Sequence, residues 1–345
     1  MWRRILVAVC ALALVVPASA ASASDWRAGR TIATNLNAPW SIAFLPDGSA
    51  LVSERDTGRI KRVLRNGRVS TVGTVQGVRA GGEGGLLGIA VAPDARSVYA
   101  YLTSARDNRV VRINWNGRRL GAQRPIFTGI PKSSIHNGGR ILIDDNSTMF
   151  IATGDAGDVD LAQDRRSLAG KILRITLDGR PAPGNPFPGS PVYSLGHRNV
   201  QGLALDRAGR LWASEFGARD VDELNLITPG GNYGWPICEG SCSDARFINP
   251  KAEWSPTTTA SPSGIAISGN NAFVASLRGR VLWRVPLRGT NAGRPVAVPL
   301  GELGRLRDVV VAPDGSLWVL TNNTDGRGSP RAGDDRIVRV VTRPS

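Results

Sequence analysis

One stretch, Ser134-Ile135-His136-Asn137-Gly138-Gly139-Arg140, offers the plainest chemistry in this sequence. His136 is one of only two histidines, and the stretch runs into Ile141-Leu142-Ile143, an apolar run that reads as a buried strand. An imidazole exchanges a proton near neutral pH, and the glycines after it let a ligand approach with little side-chain crowding. On position alone, the plainer reading is a loop histidine satisfied by backbone hydrogen bonds. The other loops of the chain argue otherwise.

Arg79-Ala80-Gly81-Gly82-Glu83-Gly84-Gly85-Leu86-Leu87-Gly88 is glycine-rich, but its spacing is wrong for a dinucleotide loop and a strand follows it. It reads as close backbone approach to a ligand beside Glu83. Gly154-Asp155-Ala156-Gly157-Asp158-Val159-Asp160 concentrates carboxylates without the EF-hand pattern, so turn chemistry explains it best. Gly196-His197-Arg198-Asn199 gathers imidazole, guanidinium and amide. The segment 214–223 is acidic and precedes Gly231-Asn232-Tyr233-Gly234-Trp235-Pro236. Arg278, Arg305 and Arg307 stand at matching edges of two later segments. Singly, each arginine reads as a solvated charge. Together, a histidine, several arginines and an acidic loop describe a site for a polyanion, with a base and room for a hard cation.

What must position these loops is a sixfold repeat. Short apolar strands begin at residues 41, 88, 140, 202, 264 and 308. Each is followed by a turn, Pro46-Asp47-Gly48 and Pro313-Asp314-Gly315 being the clearest, and by a second apolar strand. The spacing suits four-stranded propeller blades with insertions in the middle ones. The expected fold is all-β, a six-bladed β-propeller over residues 24–345, with spare strands at 30–37 and 337–341 completing one blade together.

Composition narrows the setting. Arg3 and Arg4, an apolar run over 5–17 and the small residues at 18–23 read as a cleaved secretory signal, with the mature protein expected to start near Ala21 or Ser24. No later run is long enough to span a membrane, so the expected product is exported and soluble. Cleavage leaves Cys238 and Cys242, read as one disulfide in an oxidising compartment. The formal charge is +15, or 15 − 2 = +13 without Arg3 and Arg4. The arginines are scattered, without the concentrated patch and interleaved aromatics that nucleic acid requires, which leaves anionic surfaces and acidic ligands.

Glu83-Gly84-Gly85-Leu86-Leu87-Gly88, Ile135-His136-Asn137-Gly138-Gly139-Arg140, Gly196-His197-Arg198-Asn199, Ser214-Glu215-Phe216-Gly217, Gly231-Asn232-Tyr233-Gly234-Trp235-Pro236 and Arg305-Leu306-Arg307-Asp308 resemble, in order, the soluble PQQ-dependent sugar dehydrogenases. That family includes soluble glucose dehydrogenase and the aldose sugar dehydrogenases. The resemblance implies pyrroloquinoline quinone (PQQ) lying over the channel mouth with calcium. It implies His136 as general base toward the anomeric hydroxyl and Arg198 beside the quinone oxygen. Glu83, Asn199, Arg278, Arg305 and Arg307 would hold the cofactor, whose three carboxylates suit arginine forks. The carbonyls of Gly217 and Ala218 would bind calcium, and Glu223 and Tyr233 match calcium positions of the aldose dehydrogenase branch. Phe216, Arg278 and Ala218 depart from the family pattern, standing where a polar residue, a lysine and a proline are expected. The implied substrate is a broad range of aldoses or oligosaccharides, with an external electron acceptor that the sequence does not name. A calcium-dependent lactonase and a non-catalytic carbohydrate-binding propeller are the competing readings.

Overall fold

The computed structural model describes residues 26–342, and the signal sequence expected over 1–23 lies outside them. Six antiparallel sheets follow one another along the chain. The first holds Pro39–Phe44, Ala50–Glu54, Arg59–Val63 and Val69–Thr74, and the second Leu86–Val91, Ser97–Thr103, Asn108–Trp115 and Leu120–Ile130. The innermost strands of the remaining blades are Ile141–Ile143, Val200–Leu205, Pro262–Ser268 and Leu306–Val311. Consecutive innermost strands touch, and the last touches the first, so the ring is closed. The protein is a six-bladed β-propeller.

The repeat units explain the packing. A blade cannot bury its own faces. Six apolar clusters fill the spaces between neighbours, such as Leu51, Ile60, Ile89 and Val98 between the first two blades. The hairpin turns have the chemistry their residues require. Gly48, at φ +77°, donates to Leu45 O, while Asp47 Oδ1 accepts from the Ser49 backbone at 2.9 Å. Closure differs slightly from expectation. The first strand is Trp26–Ala33, paired with Ile337–Thr342, and it stops before residue 37 because Asn35 and Ala38 adopt positive φ.

The insertions lie in the third and fourth blades. One separates Thr148–Ala152 from Lys171–Thr176, and the other separates Asp222–Ile227 from Ala252–Trp254. In the first, Lys171 is fully buried and its ammonium donates to the carbonyls of Leu161, Ala162 and Ala169, fixing the loop. In the second, Cys238 and Cys242 are bonded. Glu239, inside that small ring, accepts backbone N–H groups from Ala218, Arg219, Asp220 and Val221. Among the described residues no helix is long and apolar enough to cross a membrane.

The channel is blocked partway by its own side chains. Arg140 Nη1 donates to Asp308 Oδ2 at 3.0 Å and to Ser41 Oγ at 3.1 Å. A side chain at Gly264 would collide with the Asp308 carboxylate, so that glycine makes the crossing possible. On one side of this pair the wall is aliphatic, with Ile89, Ile143, Leu205 and Ile267. The other side is the polar mouth.

Candidate active site

His136 sits at this mouth with a positive φ of 53°, a conformation held by its backbone partners. Its N–H donates to Glu83 Oε2 at 2.8 Å, and its carbonyl accepts from Ala156. Its ring Nδ1 lies 2.6 Å from Asp155 Oδ1. Asp155 is completely buried, and it also accepts from the Gly157 backbone at 2.8 Å and the Trp235 indole at 2.9 Å. Burial pushes the Asp155 carboxyl up, but these hydrogen bonds outweigh it and hold it below its usual range. An ionised Asp155 accepts a hydrogen bond from Nδ1–H, so the other nitrogen, Nε2, carries the lone pair.

The second histidine plays another part. His197 is fully buried, between Ser194 Oγ at 2.8 Å and Glu215 Oε2 at 2.8 Å, with its ring stacked on Tyr233. The order serine, histidine, carboxylate mimics a hydrolytic triad, but a fully buried serine cannot reach a substrate. This is a packing network. Its product is the position of Arg198 and Asn199, whose backbone N–H groups both point at Glu215 Oε1.

Several donors converge on the mouth without partners. Asn199 is buried, and its Oδ1 accepts from Gly138 and Gln201 while Nδ2 has no acceptor. Arg307 donates through Nη1 to Gln201 Oε1 and Ser263 Oγ, and its Nε is unpaired. Burial pulls Arg307 down to about 9, so it is still a cation at neutral pH. Arg198 lies over the Trp235 ring, donates to Gly217 O at 2.7 Å, and has an unpaired Nε. Trp40 forms part of the mouth between the guanidinium groups of Arg140 and Arg307, 4.5 and 5.5 Å from its ring centre. Buried donors without acceptors are costly, and an anionic ligand relieves that cost.

The other expected residues fall into three groups. Glu83 is at the mouth, but its carboxylate serves the His136 backbone and Arg327, which hold it below its usual range against the effect of burial. Arg305 is buried and its fork closes on Asp325 Oδ2 at 2.9 and 3.1 Å, whereas Arg278 is exposed. Gly217 and Ala218 are on the loop held by Glu239. Glu223 is buried, and burial together with the Glu215 charge pushes it up to about 8. The Tyr233 hydroxyl donates to Leu226 O and accepts from Thr228 N, so it is committed to the fold. Among the described residues there is no cluster of three His, Cys, Asp or Glu side chains suited to a metal.

Sequence reading missed Asp155, Trp235, Gln201 and Asp325. Gln201 was the most accessible, since it falls in the same run as Arg198 and Asn199.

The site is thus a propeller mouth with a histidine–aspartate pair near amide and guanidinium groups that each keep an unpaired N–H. The family model described as Glucose / Sorbosone dehydrogenase matches residues 36–337, and the chain belongs to that family. Membership makes the protein an oxidoreductase of the sugar dehydrogenase class. The structure of the PQQ-bound form of aldose sugar dehydrogenase from Streptomyces coelicolor is 54% identical with a TM-score of 0.89, covering 91% of this chain and 97% of that one. Quinoprotein glucose dehydrogenase B of Acinetobacter calcoaceticus is 29% identical over 91% of this chain and 89% of its own. Aldose sugar dehydrogenase YliI of Escherichia coli is 28% identical, with 92% and 98% covered.

Proposed function

We propose that this protein oxidises aldoses at the anomeric carbon to lactones, using PQQ and calcium, and passes the electrons to an external acceptor. The observation that carries the reading is the meeting of a histidine oriented by a buried carboxylate with two guanidinium groups and an amide that each keep an unpaired N–H. Bound PQQ supplies a quinone carbon able to accept hydride. The chain's own residues do the rest. With Nδ1–H given to Asp155, His136 presents Nε2 to the anomeric hydroxyl and takes its proton as hydride leaves the same carbon. The imidazolium so formed is stabilised by the Asp155 carboxylate. Asn199, Arg198 and Arg307 offer the cofactor's oxygens their spare donors. The exposed Arg278, and Arg305 by exchanging Asp325 for a cofactor carboxylate, complete the proposed set. Glu83 contributes by fixing the His136 backbone.

Calcium fits the loop at Gly217 and Ala218. The Gly217 carbonyl accepts from Arg198 at 2.7 Å, so calcium would bind there as Arg198 turns from it toward the cofactor. Glu223 beside Glu215 is a like-charge pair that a cation would relieve. The Tyr233 hydroxyl adds nothing as a ligand because both its hydrogen bonds are taken. Export through the amino-terminal signal belongs to the same proposal.

The test is single-turnover bleaching of bound quinone by excess aldose, in wild type and His136→Ala. The variant should bind quinone and lose bleaching by about 10²–10⁴-fold, the usual contribution of a general base. Equal rates would make His136 structural. Absence of bleaching in wild type with every aldose would favour a lactonase or a carbohydrate-binding propeller.

A further inference from the structure

We propose that Trp235 is a positioning residue that locks the proton-accepting histidine and the mouth arginine into one rigid unit. The inference rests on the reading of His136 as the base. Trp235 comes from the fourth-blade insertion, and Asp155 from the third-blade insertion. The indole Nε1–H donates to Asp155 Oδ2 at 2.9 Å, opposite the oxygen that holds His136 Nδ1. The Arg198 guanidinium lies over the same ring, 5.4 Å from its centre. One side chain therefore touches both the carboxylate that holds His136 and the Arg198 cation.

The indole is itself held from its backbone. Trp235 N donates to Gly196 O at 3.0 Å, and its carbonyl accepts from Gln163 Nε2 at 2.7 Å. Gln163 and Asn232 exchange a reciprocal pair of amide hydrogen bonds at 3.1 and 2.8 Å. The two insertions are thus joined at the Trp235 backbone, and the indole is held by its own bond to Asp155 and by the Arg198 guanidinium over its ring. A fully buried carboxylate has few orientations that satisfy both oxygens. The indole donor selects the one that aims Oδ1 at His136. Without it, Asp155 keeps only its donors on Oδ1 and is free to rotate about the bond it should fix.

Two substitutions separate the two duties. Trp235→Phe keeps a ring face for Arg198 and removes the N–H, whereas Trp235→Leu removes both. Trp235→Phe should slow quinone bleaching about 10–100-fold, the usual cost of losing a group that orients a reacting ligand, with quinone affinity and the substrate KM unchanged. Trp235→Leu should slow it likewise and also weaken quinone binding. A second readout needs no cofactor or substrate. Only two histidines are present, so the His136 Nδ1–H proton can be followed by NMR in the ¹⁵N-labelled apoprotein, with a His136→Gln sample for assignment. It should resonate far downfield in wild type and move upfield or exchange away in Trp235→Phe, while the His197 signals stay in place. Wild-type bleaching together with an unmoved His136 proton in Trp235→Phe would overturn the proposal. If wild type itself fails to oxidise any aldose, the proposed function falls, and the proton signal still decides whether the indole holds Asp155 and His136 together.

Discussion

The Arg140–Asp308 pair that crosses the channel should be a large part of this protein's stability margin. Both side chains are buried, and Arg140 also donates through Nε to Gln201 O and lies against Trp40. Asp308 in turn accepts from the Ile42 backbone at 3.0 Å. Replacing Arg140 by Met removes the guanidinium bonds and leaves a carboxylate stranded in the interior. Breaking a buried pair in this way costs about 3–5 kcal/mol. For the 317 residues described, an unfolding entropy of about 2.1 cal/mol/K per residue turns that into a drop in Tm of roughly 4.5–7.5 °C. Asp308→Leu should cost a similar amount, for it strands the arginine instead. The double variant, apolar on both sides, should be much less damaged than the two losses added together. Differential scanning calorimetry of the four proteins at one pH is the assay. Single variants within 1 °C of wild type would refute the reasoning, and so would a double variant as unstable as the sum.

Arg307→Ala should weaken PQQ binding by about 1.5–3 kcal/mol, the value of a hydrogen bond to a charged group. An absorbance titration of apoprotein measures it, and unchanged affinity removes Arg307 from the site. Glu223, raised by burial to about 8 from the ordinary 4.5, favours the folded state fully below 4.5 and loses that contribution as pH rises toward 8. Glu223→Gln, which cannot ionise, should therefore gain on wild type between pH 5 and pH 8 in thermal melts without added metal; a constant gap would contradict the assignment. If calcium binds Glu223, titrating the apoprotein with calcium at pH 7 should release a proton, seen as a heat that depends on the buffer's ionisation enthalpy. Denatured, unreduced mature protein should show no free thiol, because Cys238 and Cys242 are bonded; two titratable equivalents would be inconsistent with this.

The blades were legible because each repeat carries its own local signals, the turn residues and the apolar strand that follows, and neither depends on distant partners. His136 was legible for the same reason. Asp155 was not, since an aspartate between glycines is a common way to build a turn, and its true partners are 19 and 80 residues away. Arg140 and Asp308 both stood in quoted motifs, but their meeting spans 168 residues and exists only once the ring has closed. Arg305 shows the opposite limit. Its type suggested a cofactor contact, while its fork is engaged by Asp325, a residue with no neighbouring signal to announce it. Sequence records which side chains are available, and topology decides which are already spoken for.

The sixth blade takes its outermost strand, Trp26–Ala33, from the start of the chain and its other three from the end. During synthesis, that first strand waits for a partner about 300 residues later, and loops of that length close slowly. Until they do, Arg307 and Asp325 are on the far side of an open crescent from Glu83 and His136. The mouth is thus completed only when the ring closes, after the middle blades have brought His136, Asp155 and Trp235 together. A cofactor held by Asn199 and Arg307 would tie the last blade to the fourth, beside the seam between the chain's two ends, and its loss would be felt there as faster hydrogen exchange along Ile337–Thr342.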